Sequence, residues 1–283
     1  MKNNFIYSKL IFSYFIWSFI GLIINKVKIN SFQAIFLISI FSLFWYILFL
    51  TLRKDLSSLK KIKFNFNLLI FILICGSAVV IWLKSFTLIP VAQVLFLFSS
   101  VPIFALFLEI GVFKHKIKTA QVLPILIGIL GIGVLLSNDL SKNTAFISLA
   151  SILVLFSSFL FAVQGFFIKK YNNIYNPYII CFIFMISQAL VSAPFLFTEK
   201  ISFEIYSVLF LFIYSFFHAL AFYFYMGSFK SLKVSTVRLI GYIEVVIGSF
   251  LGIAFLSQPL TLLAGLGGVL ILSSSYLISK VKE

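Results

Sequence analysis

Long apolar stretches alternate with short polar gaps along the whole chain of 283 residues. An α-helix needs about 20 apolar residues to cross the hydrocarbon core of a membrane. Ten stretches approach or exceed that length, at 7–24, 31–52, 68–88, 92–113, 120–136, 144–167, 178–197, 206–227, 234–256 and 261–279. The gaps leave no room for a domain outside the membrane. The pattern therefore predicts an all-α membrane protein with ten transmembrane helices.

Composition and charge agree with this prediction. Hydrophobic residues make up 62% of the chain, and the mean hydropathy of +1.17 excludes a water-soluble protein. Of the 22 lysines and arginines, 17 fall in the N-terminal segment, the C-terminal segment and every second gap between them. Basic residues in short loops favour the cytoplasmic side. We therefore expect a multi-pass protein of the cell (inner) membrane with both termini cytoplasmic. The net charge of +15 is then explained by contact with lipid headgroups rather than with nucleic acid.

The two halves of the chain resemble each other. A shift of 143 residues, without gaps, lays residues 83–137 over residues 226–280 and matches Ser85 with Ser228. The same register aligns the predicted helix boundaries in both segments. This indicates an internal repeat of five helices.

Five helices is an odd number, so the second repeat (141–283) enters the membrane from the opposite side to the first (1–140). The sequence thus predicts two inverted five-helix repeats in one membrane domain. Inverted repeats are typical of secondary transporters, whose two halves exchange inward-open and outward-open states around a central site.

Short motifs near the end of the second repeat carry a more specific resemblance. Tyr242-Ile243-Glu244 is followed by Val245, and the later turn reads Ser257-Gln258-Pro259-Leu260-Thr261 before a glycine-containing helix. This segment resembles the end of a repeat in the drug/metabolite transporter superfamily (EamA type). That family tends to show a tyrosine-leucine-glutamate-proline run and then a glycine-glutamate-x-leucine-threonine turn. The resemblance implies a ten-helix carrier with a central polar cavity that moves small organic metabolites, often outward.

Glu244 is the first candidate for substrate binding, because an ionisable group inside a membrane is costly and therefore a functional candidate. It shares one helical face with Gly241, Gly248 and Gly252. The carboxylate either binds a proton or cationic group in the cavity, or accepts hydrogen bonds within a close-packed helix contact.

His218 is the second candidate, with Tyr214 and Phe222 one turn away on the same face. A histidine among aromatic rings binds a ligand ring or relays a proton near neutral pH. A single interhelical hydrogen bond is the structural alternative.

Amide, hydroxyl and indole groups complete the predicted site. Gln93 and Ser100 share a face of the fourth helix, and Gln164 lies in the sixth. Such groups either contact a ligand or join membrane helices. Trp17 and Trp82 lie within helices, where an indole offers stacking and cation–π contact if it faces a cavity. Placement at the membrane interface is the alternative.

Enzymatic chemistry has little support. Seven carboxylates and two histidines form no paired acids, metal-ligand cluster or phosphate-binding loop, so we expect no enzyme and no cofactor. We expect a secondary transporter, an exporter of small organic metabolites such as amino acids or related compounds, acting as a monomer or homodimer. Its driving force is the gradient of the substrate, or of protons through Glu244 or His218. A flippase for lipids or lipid-linked intermediates and a non-transporting subunit of a membrane complex are the alternatives.

Overall fold

The computed structural model describes residues 2–111, 119–140, 148–197, 204–232, 237 and 240–280. Within these residues the chain forms α-helices, two short 3₁₀ helices and no strand. The α-helices are α1 (Lys2–Ser18), α2 (Ile20–Lys26), α3 (Ser31–Leu52), α4 (Phe66–Ser85), α5 (Val91–Phe98), α6 (Val101–Gly111), α7 (Thr119–Leu140), α8 (Leu149–Asn172), α9 (Pro177–Ser192), α10 (Ile205–Ser228), α11 (Tyr242–Leu256) and α12 (Leu262–Lys280).

Seven helical segments in the described residues are long and apolar enough to cross a membrane. Two of these segments, Phe5–Lys26 and Val91–Leu108, each join two consecutive helices. Three shorter apolar helices coincide with the remaining predicted stretches, at Val122–Ser137, Tyr242–Leu256 and Leu262–Ser274. The all-helical, multi-pass membrane architecture is confirmed, whereas the count of ten spanning helices stays a prediction.

The fourth apolar stretch is broken rather than continuous. α5 ends at Phe98 and α6 begins at Val101. Pro102 has no N–H group and cannot donate the helical hydrogen bond to the carbonyl of Phe98. The single helix predicted over 92–113 is therefore two helices within its described part, and residues 112–118 lie outside the described residues.

Helix packing between the two halves is reciprocal. The first helical segment of one half packs against the third of the other, as α1 does with α10 and α8 with α4. α3 contacts α9, α5 contacts α11, and α7 contacts α12, so corresponding helices of the two halves also meet. This pattern is expected of two similar repeats related by a pseudo-two-fold axis.

One end of the bundle, called here the Val91 end, gathers the turns that follow the first, third and ninth predicted spans. The side-chain amide of Asn25 donates a hydrogen bond to the carbonyl of Phe86 at 2.9 Å. The side-chain oxygen of Gln258 accepts one from the backbone N–H of Val91 at 2.8 Å.

The turns after the second and sixth predicted spans meet at the opposite end, called here the Tyr175 end. The backbone N–H of Lys63 donates to the hydroxyl of Tyr175 at 3.4 Å, and the Arg53 guanidinium lies 5.0 Å from the centre of the Tyr178 ring. Successive spans therefore run in alternate directions. Placement of the Tyr175 end in the cytoplasm stays a prediction from the positive charges.

An exposed ion pair between Lys28 and Glu204 lies at the Val91 end. Glu204 accepts a hydrogen bond from the Ser207 hydroxyl, and Lys28 Nζ lies 3.2 Å from Glu204 Oε1. The Ser207 hydroxyl, and then Lys28, lower the pKa of Glu204 below its ordinary value. A lowered folded-state pKa favours folding above the ordinary pKa, and this effect is lost as pH falls through the lowered value. Because Lys28 is 79% exposed, solvent screens the pair and the contribution is small.

Candidate functional site

A central cavity lies between helices of both halves. Eight aromatic side chains line it: Tyr14, Trp17, Trp82, Phe98, Phe161, Phe184, Phe222 and Tyr225. The remaining lining includes the polar groups of Gln164, His218 and Glu244. A mostly apolar cavity with a few convergent polar groups is the usual form of a small-molecule site.

The first aromatic cluster joins α1 and α10. The Trp17 ring centre lies 4.7 Å from that of Phe222, 4.9 Å from that of Tyr225 and 5.6 Å from that of Tyr14. Phe222 also packs 4.9 Å from the imidazole of His218. Aromatic rings at these separations hold one another in place.

The second aromatic cluster joins α4, α5 and α8. The ring centres of Trp82 and Phe98 are 5.0 Å apart, and those of Phe98 and Phe161 are 4.8 Å apart. The 143-residue shift lays Trp82 over Tyr225, which belongs to the first cluster. Each half of the chain thus supplies a related aromatic wall to one cavity.

The ionisable groups of the lining come from the second half alone. Glu244 is 4% exposed and His218 is 5% exposed. The 143-residue shift places Val101 opposite Glu244 and Cys75 opposite His218. The cavity is therefore chemically asymmetric although its walls are related by the repeat.

Glu244 lies in the first turn of α11, which begins at Tyr242 after Gly241. The sequence predicts one helix over 234–256 with Glu244 about ten residues into it. In the described part of that range, Val237 and Ile240 are helical and a turn at Gly241 interrupts the helix before α11, while residues 234–236 and 238–239 lie outside the described residues. The backbone N–H of Glu244 donates to the carbonyl of Gly241 at 3.0 Å, and the Glu244 side chain faces the cavity.

Within the part of the chain that the structure describes, several buried polar atoms around the cavity have no hydrogen-bond partner. They include the indole N–H groups of Trp17 and Trp82, both ring nitrogens of His218 and the Tyr214 hydroxyl. Buried polar groups are nearly always paired in folded proteins. Donors left open beside a cavity are suited to bind a ligand that carries acceptor atoms.

Six of the nine residues predicted from the sequence line this cavity: Trp17, Trp82, Gln164, His218, Phe222 and Glu244. Tyr214 lies behind them, with its ring centre 5.7 Å from that of His218, and interacts electrostatically with Glu244.

Gln93 and Ser100 are not part of the lining. The Gln93 amide donates to Ser151 Oγ at 3.1 Å and joins α5 to α8. Joining two helices is one of the two roles that the sequence analysis gave for this amide. Ser100 is fully buried at the break between α5 and α6. A direct substrate contact from either residue stays a prediction.

Other lining residues were not singled out from the sequence. Tyr14 lies one turn before Trp17 in α1, so the three-residue spacing was an available signal. Phe98, Phe161 and Phe184 carried no such signal, because the chain contains 38 phenylalanines.

A second cavity adjoins the first at Tyr14, Phe98 and Glu244. It continues along the break between α5 and α6 and the start of α11, past Pro102 and Tyr242. Glu244 therefore stands where the two cavities meet.

Comparison with known proteins decides the family. The model of the EamA-like transporter family matches residues 4–137 and again residues 148–280. The chain belongs to the EamA-like transporter family. The resemblance seen in the sequence is thus confirmed, and so is the two-repeat architecture of the family. The two matched ranges lie on either side of the predicted division between 140 and 141, which itself stays a prediction.

A solved crystal structure supports the fold. It is 13% identical in sequence and superimposes with a TM-score of 0.64, covering 97% of this chain and 96% of that chain. At this identity the likeness shows a common fold and carries no information on substrate. No curated protein matches the chain. The family and the fold together identify a multi-pass membrane protein of a family that transports small molecules.

Proposed function

We propose that the protein is a secondary transporter that exports small organic metabolites bearing a cationic nitrogen, such as amino acids or related amines. The observation that carries this proposal is the position of Glu244, a buried carboxylate at the edge of an aromatic cavity in a chain of a transporter family. The central cavity is the binding site.

The chemistry of the lining supports a cation. Glu244 attracts an ammonium group strongly because the buried surroundings weaken solvent screening. The rings of Trp17 and Tyr225 offer their negative faces to the same charge. No lysine or arginine is among the described lining residues, so a purely anionic cargo meets no counter-charge there.

Acceptor groups on the cargo would complete the binding. The open indole N–H groups of Trp17 and Trp82 are donors for a carboxylate or carbonyl oxygen. A zwitterion such as an amino acid carries both the cation and the acceptor, and its apolar part would occupy the aromatic remainder of the cavity.

Transport would proceed by alternating access. Reciprocal packing of the two halves supports a rocking motion that exposes the cavity to one side and then the other. The sequence has no ATP-binding motif, so we infer that a gradient drives transport. Glu244 or His218 would carry a coupled proton. We further propose that the protein lies in the inner membrane with both termini in the cytoplasm, and that it exports its substrate.

The convergence of polar groups on a cavity favours a carrier over a non-transporting subunit, for which no such lining is needed. Helices of both halves surround the central cavity, which favours a small soluble cargo over a lipid. A flippase requires a groove that is open to the bilayer.

Tryptophan fluorescence of the purified protein tests the binding site. Trp17 and Trp82 line the cavity, whereas Trp45 lies outside it and donates to Ser215 Oγ at 3.0 Å. A bound amine should therefore change the emission of the native protein and of Trp45→Phe by similar amounts, and that of Trp82→Phe by less.

The ligand series separates the chemical classes. It consists of amino acids, the amines that lack the carboxylate and the acids that lack the amine. Amine-bearing ligands that bind the folded state should also raise its melting temperature, with about 2.7 kcal/mol of stabilisation at 100 times Kd. A response confined to the amine-free acids, or lost in Trp45→Phe and kept in Trp82→Phe, would contradict the proposed site.

A further inference from the structure

Close packing around Val91 lies at the Val91 end of the bundle, beyond the central cavity. Val91 is wedged between α2 and α11, and both of these helices place a glycine against it. A Cβ atom added to Gly21 would lie 2.9 Å from Val91 Cγ1, and one added to Gly252 would lie 3.0 Å from Val91 Cβ. Such distances leave no space for a larger residue or for water. The start of α5, where the α4–α5 turn ends, is therefore packed tightly against α2 and α11.

Two polar side chains form hydrogen bonds with the backbone of the α4–α5 turn. Asn25, at the end of α2, donates to the carbonyl of Phe86 at 2.9 Å and to that of Gly21 at 2.8 Å. Gln258 accepts the N–H of Val91 at 2.8 Å. Val91 opens α5, where the first N–H groups have no partner within the helix. Asn25 and Gln258 thus each form a hydrogen bond with a backbone group of the α4–α5 turn. Asn25 does so from the end of α2, and Gln258 from the turn that follows α11.

The backbone conformation at the end of α11 places the Gln258 side chain next to Val91. Ser257 adopts a left-handed conformation with φ of 53°, which is unfavourable for a residue other than glycine. The backbone N–H of Gln258 then donates to the carbonyl of Gly252 at 3.3 Å. Its side chain passes over Gly252, where an added Cβ would lie 3.2 Å from the side-chain oxygen.

We propose that Asn25 and Gln258 form a latch that holds the Val91 end closed and that must release before the cavity opens to that side. Gln258 belongs to the second repeat and Val91 to the first, so this hydrogen bond ties the two repeats together across the cavity entrance. The latch rests on the alternating-access part of the proposed function and requires no particular cargo.

Asn172 provides a matched control at the other end of the bundle. Asn172 is the last residue of α8, and its side-chain amide donates a hydrogen bond to the carbonyl of Met226 at 3.3 Å. In the same way, Asn25 near the end of α2 donates to the carbonyl of Phe86. Its loss should leave the Val91 end closed.

Thiol labelling in intact cells tests the latch. Cys75 and Cys181 are replaced by alanine, and Leu83→Cys places a thiol in the cavity lining near the Val91 end. A charged, membrane-impermeant methanethiosulfonate is added outside. The Gln258→Leu and Asn25→Leu variants should each react about five-fold faster than the latch-intact protein, as expected for the loss of one hydrogen bond that favours the closed state. Gln258→Glu keeps the acceptor and should react at the latch-intact rate.

Two further variants complete the experiment. Leu260→Cys, whose native residue is exposed at the Val91 end, reports whether this end faces outward. If it reacts only in inverted membranes, the labelling is repeated there and the latch is still tested. Equal rates in the latch-intact protein, Gln258→Leu and Asn25→Leu would overturn the latch. So would equal acceleration by Asn172→Leu, which would indicate general loosening. Labelling needs no cargo, so failure to find a transported substrate would leave this result standing.

Discussion

Replacing Glu244 with Gln should reduce transport of an amine-bearing substrate at least about 30-fold. The substitution preserves the shape of the side chain and removes its negative charge. Truncating one partner of a buried, hydrogen-bonded charge pair costs about 2 kcal/mol or more, and 1.36 kcal/mol corresponds to a factor of ten. We expect the loss to appear as weaker binding and slower flux, because Glu244 lies where the two cavities meet.

The measurement is initial uptake of radiolabelled substrate into proteoliposomes at equal protein content. Glu204→Gln is the matched control, since it removes a carboxylate from the exposed ion pair at the Val91 end. That variant should transport at the native rate. Native flux in Glu244→Gln, or an equal loss in both variants, would show that the cavity carboxylate does not bind the substrate.

Replacing Gly131 with Ala should destabilise the fold by about 1–3 kcal/mol, the usual cost of overpacking a tight core. Gly131 lies where α7 crosses α12. A Cβ atom there would come within 2.9 Å of the carbonyl oxygen of Gly267 and the backbone nitrogen of Ile271. Backbone atoms cannot rotate away as a flexible side chain can, so the two helices must separate.

Gly133 offers a control in the same helix, two residues away. A Cβ atom added there meets no protein atom within 4 Å, so Gly133→Ala should melt at or near the native temperature. Thermal unfolding of the detergent-purified variants measures both effects. Equal melting temperatures for the two variants would show that the close contact of α7 with α12 contributes little to stability.

The sequence predicted the placement of most helices because long apolar runs in a membrane leave the backbone few alternatives to a helix. It did not predict where helices break. The interruption before Val101 and the start of α11 at Tyr242 both fall within apolar runs that hydropathy cannot divide. Pro102 was the available signal for the first interruption. No proline or other local signal in the sequence marks the second, at Gly241.

The polar part of the site was predictable for a related reason. Buried ionisable groups are rare in an apolar chain, so Glu244 and His218 were conspicuous, and both line the cavity. Gln93 was equally conspicuous, but its amide joins two helices through Ser151. The residue type showed that the amide needs a partner and could not show which partner it has. Roles in substrate binding remain predictions for all of these residues.

The latch residues show a different limit of sequence reasoning. Ser257-Gln258 stands where the resemblance leads one to expect glycine-glutamate, and this departure says nothing by itself about closure. Only the three-dimensional structure brings Gln258 to Val91, which is 167 residues away in the chain. A contact between distant segments of this kind leaves no local pattern in either one.

Flux through proteoliposomes that contain only this protein tests the central claim most directly. Vesicles are loaded with the unlabelled form of a ligand that passes the fluorescence test, and uptake of its labelled form is followed by counterflow. The account predicts transient accumulation of label that requires the protein, proceeds without ATP and is competed by related amines. Binding of the ligand without any counterflow, in vesicles whose protein is folded, would contradict a carrier.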